Sequence, residues 1–81
     1  DPPLVRDEPD PSLLVRAVVC RDAVLVCVVN ESARELTARF RLRGVGGAWV
    51  EQPVAAQSAV LLLLDRATGR VLDRGTDLTG G

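Results

Sequence analysis

The stretch ELTARFRLR, residues 35–43, sets Leu36, Ala38, Phe40 and Leu42 in strict alternation with Thr37, Arg39, Arg41 and Arg43. On a helix these apolar side chains would scatter around the axis, whereas on a strand they share one face. The segment therefore reads as a β-strand with an apolar inner side and an arginine-lined outer side. Upstream of it, NESAR over 30–34 reads as a turn. Residues 23–29, AVLVCVV, are apolar on both faces, as suits a strand in the middle of a sheet. Arg21-Asp22 is the turn before them, and over 13–20 the odd positions Leu13, Val15, Ala17 and Val19 point inward because Arg16 interrupts the even set.

Downstream, Gly44-Val45-Gly46-Gly47 breaks the pattern. Residues 48–54 resume it weakly, with Pro53 pushing the segment toward a sheet edge. SAVLLLLD over 58–65 reads as another buried strand, and DRATGR over 65–70 as a hairpin loop with Gly69 at a left-handed position. A short strand over 71–74 follows, and the tail over 75–81 is expected to fray. Six strands and no credible helix predict an all-β chain, a small antiparallel β-sandwich of immunoglobulin-like type spanning 13–81. Residues 1–12, DPPLVRDEPDPS, hold four of the five prolines and read as an extended proline-rich linker.

Composition narrows the chemistry further. At 81 residues, 47% hydrophobic and 26% charged, the chain has the profile of one soluble globular domain. A core of that size supplies about 3 to 5 kcal/mol, so a docked or covalent neighbour would help it. The chain starts at Asp1 without an initiator Met and is expected to be a piece of something longer. It contains no His, Tyr, Met, Lys or Ile. Histidine-based acid–base catalysis, catalytic triads and histidine zinc sites are thereby excluded. Ten arginines against eleven carboxylates give a net charge of −1, which offers no overall field to draw nucleic acid or an anionic membrane. No apolar run approaches the roughly 20 residues of a bilayer-spanning helix. No cofactor or metal is expected.

Few residues remain as candidates for a site. Trp49 is the one ring able to stack on a sugar; it lies with Glu51 on the face opposite Val50 and Val54, and packing or an interdomain role weighs against a ligand platform. Arg39, Arg41 and Arg43 form an outward row that could meet an acidic partner, although a solvated face with carboxylates across the strands is the commoner arrangement. Trp49 and this arginine row are the possible ligand or interdomain contacts.

The remaining polar residues carry less. If Arg21-Asp22 is the turn, Cys20 faces Ala23 and Cys27 faces Arg16. The two Cα atoms are then separated by about 13 Å, beyond disulfide reach, and the cysteines are expected as unpaired, small buried hydrophobes. Asn30-Glu31-Ser32 fits the N-glycosylation pattern, but Asn30 reads first as a turn residue. Asp65 and Arg70 are expected to face each other as an exposed ion pair, with Asp73 opposite Leu62. No carboxylate pair suits a glycosidase dyad.

The stretch CRDAVLVCVVNESARELTARFRL, followed by VAAQSAVLLLLD, resembles the C-terminal β-sandwich domains of glycoside hydrolases, including α-amylase-type and arabinofuranosidase-type enzymes. In those domains a Val-rich strand ends in Asn before a polar turn, an alternating strand follows, and a Ser leads into an aliphatic strand. Asn30 with Glu31-Ser32, and Ser58 with Ala59 to Leu64, occupy those places. The resemblance covers about residues 13 to 65, and DRATGRVLDRG departs from it. It implies a non-catalytic structural accessory module packed on the catalytic domain of the same polypeptide, with no catalytic residue of its own and carbohydrate as a possible further partner. The other reading is an immunoglobulin-like binding or adhesion module in which Trp49, the arginine row or a strand edge grips a protein or glycan.

Overall fold

The computed structural model describes residues 2–7 and 9–75. Seven antiparallel strands are present: β1 (Leu4–Arg6), β2 (Leu13–Val19), β3 (Ala23–Asn30), β4 (Leu36–Leu42), β5 (Val50–Val54), β6 (Ser58–Asp65) and β7 (Val71–Gly75). They form a three-stranded sheet of order β1-β4-β5 and a four-stranded sheet of order β2-β3-β6-β7. The chain is thus a small all-β sandwich, with no helix among the described residues. The unassigned part of the expected fraying tail, 76–81, lies outside the described residues.

The core follows from period-two patterning. Phe40 and Leu62 are fully enclosed, joined by Val26, Val28 and Leu64 from the four-stranded sheet and by Ala38 and Leu42 from β4. On β4 the inward set is the one the alternation predicts, and on β2 Leu13 is buried with Val15 and Ala17 packed behind it. Val19 departs from that face pattern and is exposed, because it lies at the end of its edge strand beside the turn. β3 sits between β2 and β6, and β5 with Pro53 is an edge strand, both as expected.

The six-strand expectation gains a seventh member at the N-terminus. Leu4–Arg6, inside the segment read as a linker, pair with Phe40–Leu42, and Leu4 is buried against the core. Arg43 N donates to Pro3 O at 2.9 Å and Asp7 N to Arg39 O at 3.0 Å, extending that pairing at both ends. The lead is therefore part of the sandwich over these residues, not only a connector. Three residues between prolines are too short to show a period, and an edge is where flanking prolines are tolerated. Asp1 and Glu8 of the same segment lie outside the described residues.

Three connections carry the chain between sheets, from β1 to β2, from β3 to β4 and from β5 to β6. Asn30 at the end of β3 binds two of them, the β3–β4 connection and the β5–β6 connection. Its Nδ2 donates to Arg34 O at 2.8 Å in the first, and to Val54 O at 2.9 Å and Ala55 O at 3.2 Å in the second. Its Oδ1 accepts from Ser32 N at 2.8 Å, and Gln57 N adds a bond to Ser32 O. The side chain is fully buried, so the expected turn residue is also the clamp between the sheets. A glycan on this amide would need the nitrogen that makes the clamp, which rules out the glycosylation pattern as an occupied site in the folded chain.

The β6–β7 hairpin forms as its sequence predicts. Gly69 has φ of 78°, Gly69 N donates to Asp65 O, and Asp65 Oδ1 accepts from Ala67 N at 2.8 Å. The Asp65 carboxylate caps the loop, and no Asp65–Arg70 ion pair forms among the described residues. A register shift between Leu63 and Leu64 places Asp73 opposite Leu63 in place of the expected Leu62.

Candidate functional site

The outer face of the three-stranded sheet gathers the residues singled out above. Arg39 and Arg41 alternate with inward Ala38, Phe40 and Leu42, so the strand that buries Phe40 necessarily presents both guanidiniums outward. Phe40 faces Val50 and Arg39 faces Glu51, which brings Trp49, immediately before β5, beside Arg41. The Arg39 guanidinium carbon lies 4.6 Å from the centre of the Trp49 ring and that of Arg41 lies 5.0 Å away. Both are within cation–π range.

Each member of the arginine row has a different set of partners. Arg39 donates to the Asp7 carboxylate and approaches Glu51 Oε2 at 3.7 Å, the cross-strand carboxylate expected of a solvated face. These groups are well exposed, so each pair contributes no more than about 1 kcal/mol. Arg43 turns to the N-terminal lead, where its Nε donates to Pro2 O at 2.8 Å. Arg41 has the Trp49 ring as its neighbour and no hydrogen-bond or ionic partner among the described residues. Trp49 is half-buried, and the chain's own cations engage its ring. The structure joins Trp49 and the arginines into one cluster; sequence reasoning treated them separately because the loop over 44–47 hides the β4–β5 register.

A groove of about 310 Å³ runs beside this cluster, between the β5 and β7 edges, lined by Gly47, Ala48, Trp49, Thr68, Gly69 and Arg70 among others. Arg74 Nη1 donates to the buried Gln52 Oε1 at 2.6 Å and ties β7 to β5 along it. Neither Gln52 nor Arg74 drew attention in the sequence, although Gln52 stands out as the polar member of the inward set Val50, Gln52, Val54. No group of three or more His, Cys, Asp and Glu side chains assembles as a metal site among the described residues.

The thiols are separate and free. Cys27 faces Arg16, and Cys20 N donates to Ala23 O at 2.8 Å, as the expected register requires. Their burial differs from expectation. Cys20 is exposed because it lies past the end of β2, and Cys27 is half-buried because it points to the outer side of its sheet. A thiol reagent such as dithionitrobenzoate should modify Cys20 rapidly in the native protein and Cys27 more slowly. Equal rates, or no reactive thiol without reductant, would contradict this placement.

Compared with protein-family models, curated proteins and solved structures, the chain matches none.

Proposed function

We propose that the chain is a non-catalytic structural accessory β-sandwich domain of a larger enzyme, with a glycoside hydrolase as the parent that the sequence resemblance suggests. The observation that carries the accessory reading is the outer face of the four-stranded sheet. An antiparallel sheet that faces water normally alternates apolar-in with polar-out. Here Leu14, Val18 and Leu25 are exposed at 41%, 60% and 37%, and Cys27, Leu61 and Leu63 lie half-buried on the same side. Arg16 and Asp73 on opposite edge strands and Asp65 at the end of β6 are charges of that face.

A contiguous apolar surface of this kind marks a contact site. Covering it with a neighbouring domain would add hydrophobic stabilisation to a core that is small by itself, at roughly 25 cal/mol per Å² removed from water. The carbohydrate-active part of the reading rests on the sequence resemblance.

Replacing Val18 or Leu25 singly with Glu, since the two face each other across β2 and β3, tests the accessory reading. Hydrophobic-dye binding and self-association of the purified chain should fall, while stability changes by no more than about 0.5 kcal/mol per site, the usual range for surface positions. A loss comparable to a core substitution would show that the chain itself uses these side chains. The purified chain should also lack glycosidase turnover. Polysaccharide binding lost on Trp49→Ala would instead favour the binding-module reading.

A further inference from the structure

The sandwich has four sheet edges, and three of them are blunted. β1 is three residues long, β5 carries Pro53, and β7 is interrupted by a register shift and carries Asp73 and Arg74. β2 is different: seven residues, LLVRAVV, with no proline and an unbroken register against β3.

The hydrogen bonds at the two ends of that register fix which backbone groups face outward. Cys20 N donates to Ala23 O, and Glu31 N donates to Ser12 O. In an antiparallel ladder bonded pairs alternate with unbonded ones. The even residues of β2 therefore bond to β3, and Leu13, Val15, Ala17 and Val19 direct N–H and C=O away from the sheet. Leu13 is already satisfied, its N–H by Asp10 O and its C=O by Arg6 Nη2. Val15, Ala17 and Val19 have no backbone or side-chain partner among the described residues.

Two of those three residues also line a groove. A recess of about 310 Å³ between the β1 and β2 edges is walled by Pro2, Pro3, Leu4, Pro9, Val15 and Ala17, with Arg6 at its side. A strand laid along β2 would pair its backbone with Val15, Ala17 and Val19. Every second side chain would then turn into this apolar recess. The intervening side chains would lie beside Arg16, which is exposed and has no ionic partner among the described residues.

We propose that the β2 edge is a strand-addition site for an extended segment of another protein, apolar at alternate positions and acidic opposite Arg16. Charge selects this occupant over a second copy. Antiparallel self-pairing centred on Val15 or Ala17 would set the two Arg16 side chains diagonally across from each other on one face, a repulsive arrangement. The site uses the backbone edge of β2 and the recess beside it, and shares only the Arg16 side chain with the apolar face considered above.

The test is amide hydrogen exchange and titration of the whole chain with a short synthetic peptide alternating Val with Glu, and with a counterpart alternating Val with Lys. The Glu peptide should slow exchange at Val15, Ala17 and Val19 and bind more tightly than the Lys peptide. Ala17→Pro removes an N–H that β3 does not use, and should weaken binding about tenfold or more. Arg16→Glu alters an exposed side chain and should invert the preference between the two peptides, which keeps the test decisive if the proline variant folds poorly. Three results would each overturn the proposal: no protection of these amides at saturating Glu peptide, indifference of binding to Arg16→Glu, or protection that tracks protein concentration through self-association.

Discussion

Asn30→Ala should cost about 3 kcal/mol, enough to leave the domain close to its unfolding midpoint, since a core of this size supplies only about 3 to 5 kcal/mol. The estimate follows from what the side chain holds. Its amide donates to carbonyls in two of the inter-sheet connections, β3–β4 and β5–β6, and the bond to Val54 O is buried. Truncation strands that carbonyl in a dry site, at about 1 to 3 kcal/mol, and removes partly buried bonds worth about 0.5 to 1.5 kcal/mol each. Asn30→Asp is the sharper variant, because it preserves shape but turns a carboxylate toward three carbonyl oxygens. It should be at least as damaging at neutral pH as the alanine. Urea unfolding followed by circular dichroism reads both, and a loss under about 1 kcal/mol for either would remove Asn30 from its place as the inter-sheet clamp.

Phe40→Ala should lower stability by about 3 to 5 kcal/mol, the range for emptying a large buried aromatic site. Phe40 is the largest fully enclosed side chain and sits at the centre of β4, between the strands that pair with it on either side. Phe40→Leu should recover most of that loss because it leaves a smaller cavity. The neighbouring Arg41→Ala, on the outer face of the same strand, should change stability by no more than about 1 kcal/mol, the scale of an exposed cation–π contact. Thermal or urea unfolding of the three variants should therefore rank Phe40→Ala far below the other two. Parity between Phe40→Ala and Arg41→Ala would mean that the inner and outer faces of β4 have been exchanged.

Where a strand was long enough to display period two, its sequence was sufficient to place it. The alternation in 35–43, the doubly apolar 23–29 and the loop geometry around Gly69 each correspond to an observed element. β1 escaped because Leu4-Val5-Arg6 is stabilised by pairing with residues 40–42, a non-local contact that leaves no local signal. The register shift in β7 escaped for a related reason, since an alternation of so few residues does not reveal an extra one.

The candidate site was legible by residue type but not by arrangement. Trp49, Arg39 and Arg41 stood out singly, and their meeting depends on the β4–β5 register across a glycine-rich loop. The cysteines were placed correctly against their partners and wrongly as to burial. The doubly apolar pattern of β3 reads as a strand covered on both sides, whereas the sandwich covers only one. That pattern reports a need for cover without saying whether the chain itself supplies it.

The β1–β4 pairing has a consequence for how the molecule is made. Leu4 meets Leu42, nearly half the chain away, while β2 with β3 and β6 with β7 are joined by local hairpins. Of the seven strands β1 is made before the others, yet it has nothing to join until β4 follows it, so it is among the late ones to dock. Distant pairings of this kind slow folding relative to local ones. Until β4 and β6 arrive, the nascent β2–β3 hairpin lacks the strands that bury its inner face, and transiently exposed strands of this kind are prone to aggregate.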